Sequence, residues 1–422
     1  MDFKGKKLLI LAGQGVHCKV VEAAKEMGVY TIVADNLENS PAKLIADEKV
    51  MISILDVDSL IDFCKREKVD GVMNYCNDLA SKVQYRIGEA LGLPCIGNAE
   101  QVLKLTDKKV FKQLCMENGL DTIESFSENE VLSGFVKFPI LVKPTDSRGS
   151  RGISVCKNLD DFKQAVSTAQ KESLTGQFLI ERYMVGKQDF TVSYLVTNGE
   201  PYIVRTGDRY FGNKEDGLQN QCNFCVSPSH YTEFFLQKLD SKFRRLIKTI
   251  GIQNGPVFVQ GFIDDGTIRF YDPGIRFPGS EYDRVLAKAT GVNLIKKMIA
   301  FALENKISED FGELQDSYKL CNKCSLQIMV DSRPGVIGKI SGIETIKNLP
   351  EVVHIEQKAK VGDKIPCSGD VRQRIFEIIL MTDNSHEKIC EAVNKVKSLL
   401  VVEDEKGNNM LVSFFDTKKL IY

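Results

Sequence analysis

The sequence lacks several features that would assign it to a specialised class of protein. None of its apolar runs approaches the 18 or more residues of a membrane-spanning helix. Its 56 Lys and Arg residues nearly equal its 57 Asp and Glu residues, and the formal net charge is −1. A nucleic-acid partner would need a basic face, which this balance does not indicate. We therefore expect a soluble globular protein with neither a membrane nor a nucleic-acid partner.

A secretory signal is not indicated either. The opening stretch, MDFKGKKLLILAGQG, places lysines before an apolar run, but the run is short and no small-residue cleavage pattern follows it. We interpret LLILA as a first β-strand and expect a cytoplasmic location. In that compartment the twelve cysteines are expected to be reduced.

Two cysteine pairs have the CxxC spacing that is typical of metal sites. They are Cys222 with Cys225, and Cys321 with Cys324. A four-cysteine zinc site is one interpretation. The pairs lie much farther apart in the chain than such ligands usually do, and CNFC has the pattern of a strand. Buried or incidental thiols are the favoured interpretation.

The first third of the chain alternates short apolar strands with amphipathic helices. KLLILA leads through the turn GQG into a segment with apolar residues at helical spacing, and TIVAD and VDGVMNY are further strands. This alternation predicts a doubly wound parallel sheet. GQG with the later Asp35 is half of a dinucleotide-binding pattern, but the full GxGxxG is missing. A tight turn is favoured, although loops at strand ends of such sheets often face a ligand.

Residues with the chemistry to bind a phosphate or a metal follow the predicted strands of the middle region. Lys143 ends the strand ILVKP, and the loop TDSRGSRG after it could wrap a phosphate with its backbone amides or be a plain surface turn. PVFVQGFI, DDG and TIRFYD predict a β-hairpin that ends in Asp272. Asp272 and Arg276 could hold a metal and a phosphate together, or could be an ordinary strand-end acid and a solvated arginine.

These motifs, taken in order, resemble the ATP-grasp superfamily of carboxylate–amine ligases. The matching stretches are DK at 107–108, FPILVKP, the glycine loop, FLIERYMVGKQDFTV, and the hairpin with the loop to Arg276. VFVQGFI and LAKATGVNLIKKMIAFAL are most similar to the large subunit of carbamoyl-phosphate synthase. The resemblance implies a pre-ATP-grasp α/β domain at 1–98, an ATP-grasp domain of two lobes at 99–310, and a small α+β domain at 311–422.

The resemblance also implies roles for individual residues in nucleotide binding. Lys108 and Lys143 would bind ATP phosphates as point charges, and Lys143 would also act in catalysis. The phosphate lid would comprise Ser147, Gly149, Ser150 and Gly152. The link between the lobes would hold the base and the ribose, through Glu181, Arg182, Tyr183, Met184 and Asp189. For Glu181 and Asp189, a surface strand acid is the alternative.

The metal site that the resemblance implies departs from the family pattern of two Glu residues and an Asn. Gln260 and Asp272 take the two Glu positions, Gly274 replaces the Asn, and Arg276 matches the catalytic arginine that follows. Mg²⁺, or Mn²⁺ in its place, accepts such oxygen ligands and retains waters. We expect a weaker metal site, and we expect that an Asn at position 274 would add the missing ligand.

Other polar residues have weaker signals. Arg205, Asp208 and Arg209 follow a central strand in RTGDRYF, where ATP-grasp ligases often recognise the acceptor, so we predict a substrate contact there. His17 and His230 have no partner visible in the sequence, and a satisfied or exposed histidine is favoured over a catalyst.

The resemblance implies an ATP-dependent ligase. Such an enzyme activates a carboxylate as an acyl phosphate, joins it to a small-molecule amine and releases ADP and phosphate. A bicarbonate- or carbamate-activating enzyme and an ATP-binding regulatory protein without turnover are the alternatives. A homodimer is the commonest assembly for a soluble protein, but the sequence gives no direct signal of oligomeric state.

Overall fold

The computed structural model describes residues 3–146, 152–212, 217–218, 221–307, 312–412 and 414–421. The N-terminal region contains β1 (Lys7–Leu11), α1 (Cys18–Glu26), β2 (Tyr30–Ala34), α2 (Pro41–Ile45), β3 (Glu48–Val50), α3 (Val57–Glu67), β4 (Gly71–Met73) and α4 (Asp78–Leu91). Its four strands pair in parallel in the order β3-β2-β1-β4. The predicted parallel sheet is confirmed. Strands β1, β2 and β4 are short, largely buried apolar runs, and a helix follows each of the four strands along the chain.

The next region builds a small lobe around a four-stranded antiparallel sheet. Its elements are α5 (Ala99–Lys104), α6 (Lys108–Glu117), β5 (Ser125–Phe126), α7 (Glu128–Leu132), β6 (Ile140–Pro144), β7 (Ser154–Cys156), α8 (Leu159–Glu172) and β8 (Phe178–Arg182). The strand order is β5-β8-β6-β7. Helix α8 packs Phe162 against this sheet, and Asn158 caps the helix by accepting from two backbone amides.

A large antiparallel sheet forms the floor opposite the small lobe. It begins with β9 (Asp189–Thr197), β10 (Glu200–Phe211), β11 (Cys222–Ser227), β12 (Gly255–Asp264) and β13 (Thr267–Gly274). The helices of this region are α9 (Thr232–Lys238), α10 (Asp240–Ile250), α11 (Tyr282–Thr290) and α12 (Leu294–Glu304). The predicted hairpin is confirmed as the antiparallel pair of β12 and β13, in which Gln260 lies directly opposite Asp272.

The C-terminal region continues the same sheet. Its elements are β14 (Lys323–Ser332), β15 (Gly335–Ser341), α13 (Ile343–Lys347), β16 (Val352–Gln357), β17 (Lys364–Ile365), β18 (Arg374–Asp383), α14 (His386–Leu399), β19 (Val401–Asp404) and β20 (Leu411–Val412). The sheet runs β13-β12-β9-β10-β11-β14-β18-β16, and β20 also pairs with β14. Strands from both sides of residue 310 therefore share one sheet, and the boundaries at 98 and 310 remain predictions.

No helix in the described part of the chain is both long and apolar enough to cross a membrane. The largest apolar core packs the N-terminal sheet and helices α10, α11 and α12 around strands β9 and β12. A second core lies on the opposite face of β11, β14 and β18, under α14. Between the small lobe and the large sheet, a cleft remains open.

Candidate active site

The cleft between the lobes has a volume of about 1700 Å³ and collects most of the chemistry-bearing residues predicted from the sequence. Its lining includes Lys108, Lys143, Glu181, Arg182, Tyr183, Met184, Arg209, Gln260, Asp272 and Arg276. These side chains come from both lobes and from the link between them. The sequence placed them up to 168 residues apart, and the fold brings them to one cavity.

One buried carboxylate forms ion pairs with two lysines at the roof of the cleft. Glu181 on β8 is fully buried, and its two carboxylate oxygens lie 2.6 Å from Lys143 Nζ and 2.6 Å from Lys112 Nζ. Burial lowers the pKa of Lys143 below its usual range. Burial alone would raise the pKa of Glu181, but the two lysines lower it, so the carboxylate is ionised. The two lysines together carry one positive charge more than Glu181 balances, and this excess suits a polyphosphate.

Lys112 was not predicted from the sequence. It lies one helical turn after Lys108 on α6, and the i, i+4 spacing that puts both on one face was the available signal. Lys112 does not line the cleft, whereas Lys143 and Lys108 do. The structure thus separates a buried supporting lysine from two lysines that face the cavity.

Gln260 and Asp272 form the oxygen-rich part of the site. They are cross-strand neighbours, and Lys108 Nζ lies 3.1 Å from Asp272 Oδ1. Burial alone would raise the pKa of Asp272, yet Lys108 and Lys143 lower it below its usual value. The Tyr271 hydroxyl, which was also not predicted, lies 2.9 Å from Gln260 Oε1. An amide oxygen and an anionic carboxylate oxygen therefore face the cleft together.

Gly274 has a steric reason to be glycine. A Cβ at this position would lie 2.1 Å from the ring of Phe258. The same ring lies under the guanidinium of Arg276, with 4.9 Å between Arg276 Cζ and the ring centroid. The expectation that an Asn here would add a metal ligand is therefore wrong for this backbone, because Phe258 occupies the space.

Arg276 is held by an acid of the N-terminal domain. Its Nε donates to Asp78 Oδ1 at 2.6 Å and its Nη2 donates to Asp78 Oδ2 at 2.8 Å, while Nη1 donates to the Phe277 carbonyl at 2.9 Å. Asp78 is the first residue of α4, which Asn77 caps. Asp78 was not predicted from the sequence, although its place just after strand β4 was a usable signal.

Asp189 lies beneath the cleft floor. It is fully buried, accepts from Arg209 Nη1 at 3.1 Å and from the Tyr271 hydroxyl at 2.7 Å, and does not line the cavity. Burial raises its pKa to about 6 despite the arginine. The neighbouring Gln188 lines the cleft, and its amide donates to the Arg209 carbonyl at 3.0 Å. A ribose contact by Asp189 remains a prediction that this geometry does not favour.

The link between the lobes is fixed by its own contacts. The Arg182 backbone N–H donates to the Glu124 carbonyl at 3.0 Å, and the Arg182 side chain pairs with Asp264. Asp264 also pairs with Lys187 and Arg269. These contacts fix the link at Arg182 and Lys187, while Tyr183 and Met184 face the cleft.

Of the three predicted substrate residues on β10, only one lines the cleft. Arg205 is buried, and it donates from Nη1 to Ser280 Oγ at 2.7 Å. Asp208 accepts from Ser229 Oγ at 2.6 Å and from the His230 backbone N–H at 2.7 Å. Neither Arg205 nor Asp208 lines the cleft, whereas Arg209 does. The alternation of a strand explains why residues 208 and 209 point to opposite faces.

Two further predictions concern the glycine loop and His17. Ser147, Gly149 and Ser150 lie outside the described residues. Gly152 has φ +72°, and a Cβ there would lie 2.8 Å from the Pro144 ring, so this position needs glycine.

His17 is neither exposed nor hydrogen-bonded to any described residue through its ring, contrary to the expectation. Burial lowers its pKa to about 4, so it is neutral near pH 7.

The cysteines show no metal-site arrangement in the described ranges. Cys222, Cys225, Cys321 and Cys324 are free thiols, and no group of three or more His, Cys, Asp or Glu side chains there has the geometry to hold a metal. The Cys225 thiol lies 3.0 Å from Arg205 Nη2.

Comparison with known protein families adds two matches that fit this geometry. A model described as an ATP-grasp domain matches residues 136–272, which contain Lys143, Glu181, Gln260 and Asp272. This chain contains an ATP-grasp domain. A model described as a PylC-like N-terminal domain matches residues 8–84, which cover the parallel sheet and Asp78. The resemblance seen in the sequence is confirmed.

Individual relatives are distant. A formate-dependent phosphoribosylglycinamide formyltransferase from Bacillus velezensis is 23% identical over 49% of this chain and 56% of the relative. The N-terminal section of the carbamoyl phosphate synthase large chain from Aquifex aeolicus is 23% identical over 68% of this chain and 54% of the relative. The chain spans about half the length of these curated relatives.

The fold match to a solved structure is more extensive. The crystal structure of an L-amino acid ligase from Bacillus licheniformis superposes with a TM-score of 0.77, covering 95% of this chain and 99% of the other at 20% identity. This likeness shows that the ATP-grasp domain, the N-terminal domain and the C-terminal region share one known architecture.

Proposed function

We propose that the protein is an ATP-dependent ligase that activates a carboxylate as an acyl phosphate and joins it to an amine. The observation that carries the proposal is the convergence, in one cleft, of two lysines, an oxygen pair and an arginine. Lys108 and Lys143 suit a triphosphate, Gln260 and Asp272 suit a divalent cation, and Arg276 suits a transferring phosphoryl group. The names of the relatives, which include a formyltransferase and an amino acid ligase, support a carboxylate and an amine as substrates.

The cleft supplies two oxygen ligands that fit Mg²⁺, but it leaves no room for a third protein ligand at position 274. Hard oxygen donors from Gln260 and Asp272 lie opposite each other across two strands, and Asp272 is anionic. Phe258 excludes a third protein ligand at position 274. The ion, when bound, would neutralise phosphate charge and polarise the γ-phosphoryl group.

The chain's own groups would position the reactants. Three of the five N–H groups of Arg276 are engaged by Asp78 and the Phe277 carbonyl, and among the described residues two remain to bind phosphoryl oxygens. Because Asp78 fixes the guanidinium, little ordering is needed when the ligand arrives. Lys143 would exchange part of its contact with Glu181 for a phosphate oxygen, and Lys112 would keep Glu181 neutralised meanwhile.

The reaction would proceed in two displacements. A substrate carboxylate oxygen bonds to the γ-phosphorus as the bond from phosphorus to the β–γ bridging oxygen breaks, and ADP leaves with that electron pair. The amine nitrogen then bonds to the acyl carbon, phosphate leaves, and the nitrogen loses a proton. Positioning and charge neutralisation account for this chemistry without a covalent enzyme intermediate.

The second candidate is a nucleotide-binding protein without turnover, which the loss of a ligand at Gly274 favours. A two-substrate screen of small acids and amines, read out by phosphate release with ATP and Mg²⁺, separates the two. The proposed function predicts release that requires one acid and one amine together and that is lost in Lys143→Met. Nucleotide binding without release under any pair would contradict it.

A further inference from the structure

A glutamine at a cation-binding position has to be oriented, whereas a glutamate does not. Both oxygens of a carboxylate can bind a cation, but the Gln260 side chain ends in one oxygen and one NH₂ group. An NH₂ group turned toward the cation would oppose binding with its positive hydrogens. The oxygen of Gln260 therefore has to be held toward the cleft by its neighbours.

The Tyr271 hydroxyl lies at the centre of the hydrogen-bond network around Gln260. Its oxygen lies 2.7 Å from Asp189 Oδ2, 2.9 Å from Gln260 Oε1 and 3.1 Å from Arg209 Nη1. Arg209 Nη1 also donates to Asp189 Oδ2 at 3.1 Å. Asp189 is buried below the floor of the cleft, while Tyr271 and Gln260 line it. The network thus joins a buried ion pair to the wall of the cavity.

The single proton of the Tyr271 hydroxyl can be donated to one of two acceptors. Burial raises the pKa of Asp189 to about 6, so its carboxylate is anionic at pH 8. A hydrogen bond to an ionised group is about twice as strong as one between neutral groups, so the hydroxyl donates to Asp189. An amide oxygen 2.9 Å from Tyr271 would then face a lone pair and not a hydrogen.

A half-turn of the Gln260 amide group removes this conflict, because its two terminal atoms are nearly equal in size. With Nε2 toward Tyr271, the hydroxyl donates once, to Asp189, and accepts twice, from Arg209 and from Gln260. Its hydrogen-bonding capacity is then complete. Oε1 takes the opposite position, where the amide has no hydrogen-bond partner among the described residues. The oxygen is therefore available to a ligand in the cleft.

We propose that Tyr271 is a positioning residue that holds the Gln260 oxygen toward a divalent cation, and that Asp189 sets the direction of the Tyr271 hydroxyl. This inference rests on the proposed function insofar as the cleft binds a cation together with the nucleotide. It gives the buried Asp189 carboxylate a role in cation binding, in place of the ribose contact that its geometry does not favour.

The test measures how much Mg²⁺ strengthens nucleotide binding. Calorimetry on the full chain at pH 8 gives the affinity for a non-hydrolysable ATP analogue with saturating Mg²⁺ and with EDTA, and the ratio of the two affinities is the Mg²⁺ effect. Tyr271→Phe removes the hydroxyl but keeps the ring, whose centroid lies 5.3 Å from Lys143 Nζ and 5.0 Å from the ring of Phe262. Its affinity in EDTA should therefore stay within about twofold of the parent.

The same substitution in a Gln260→Glu background separates orientation from other effects, because a carboxylate presents an oxygen in either orientation. Tyr271→Phe should reduce the Mg²⁺ effect about fivefold, about 1 kcal/mol, in the parent and less than about twofold in the Gln260→Glu background. Tyr210→Phe is the matched control. The Tyr210 hydroxyl also belongs to a residue that lines the cleft, but it accepts from the Ile421 backbone N–H at 3.2 Å, so its loss should leave the Mg²⁺ effect unchanged.

An unchanged Mg²⁺ effect in Tyr271→Phe would overturn the inference while the proposed function stands. Equal reductions in the two backgrounds would also overturn it, since the hydroxyl would then act by a route other than the orientation of the amide. A parent chain that binds the analogue no more tightly with Mg²⁺ than with EDTA would overturn the proposed cation site and this inference together.

Discussion

The two lysines that pair with Glu181 allow a sharp test of the cleft, because one lines the cavity and the other does not. Both lie 2.6 Å from a Glu181 oxygen, and both are buried. Only Lys143 lines the cavity. Replacing either lysine by Met keeps the aliphatic stem and leaves Glu181 paired with the other lysine, so neither variant strands an unpaired buried charge.

The expected magnitudes follow from that arrangement. Breaking a buried ion pair outright costs about 3–5 kcal/mol, but here one partner remains, so we expect each variant to lose about 1–3 kcal/mol of unfolding free energy. Lys143→Met should also weaken a non-hydrolysable ATP analogue at least about tenfold, about 1.4 kcal/mol, because a direct contact to phosphate is lost. Lys112→Met should weaken the analogue less than about threefold.

Denaturant unfolding gives the first quantity, and calorimetry with the analogue gives the second. The reasoning is refuted if both variants bind the analogue as the parent does, because Lys143 would then be a structural lysine like Lys112. It is also refuted if Lys112→Met loses as much affinity as Lys143→Met.

Three other changes test the metal ligand Asp272, the glycine at position 274 and the buried acid Asp208. Asp272→Asn keeps an oxygen but loses the charge that Mg²⁺ prefers, so the Mg²⁺ concentration for half-maximal ADP formation should rise about tenfold or more, and an unchanged titration would make Asp272 a structural acid. Gly274→Asn should destabilise the fold by about 1–3 kcal/mol, because its Cβ would meet the Phe258 ring at 2.1 Å, and a tighter Mg²⁺ titration at full stability would contradict this. Burial raises the pKa of Asp208 to about 6, so between about pH 4 and 6 the folded chain holds a proton that the unfolded chain releases, and the contribution of this group to stability falls as the pH rises through that window. Asp208→Asn should flatten that dependence in denaturant unfolding at pH 4.5–6.5, while Asp189, whose pKa is also about 6, keeps part of it; an identical profile would count against the raised pKa.

Local patterns in the sequence predicted the elements that local physics controls. The alternation of apolar strands and amphipathic helices predicted the parallel sheet, because β1, β2 and β4 are each one short, largely buried run. The DDG turn predicted the β12–β13 hairpin. A regular register from that turn would put Gln260 opposite Tyr271, and a register shift between Gln260 and Gly261 brings Asp272 there instead.

What the sequence did not predict depends on contacts between distant segments. Lys112 shares Glu181, and Asp78 binds Arg276, across 69 and 198 residues of chain. Gly274 is explained by the ring of Phe258 on the neighbouring strand. No periodicity within one segment carries that information, because it arises only when the sheet is assembled.

The central claim is that the carboxylate is activated as an acyl phosphate within this cleft. The most direct measurement uses the acid that supports phosphate release in the two-substrate screen, labelled with ¹⁸O in its carboxylate. Phosphate released in the presence of ATP, Mg²⁺ and the amine is then analysed by mass spectrometry. The account predicts one ¹⁸O atom in each phosphate formed, since a carboxylate oxygen bonds to the γ-phosphorus and leaves with it. Phosphate without the label, formed while the amide product accumulates, would contradict the account.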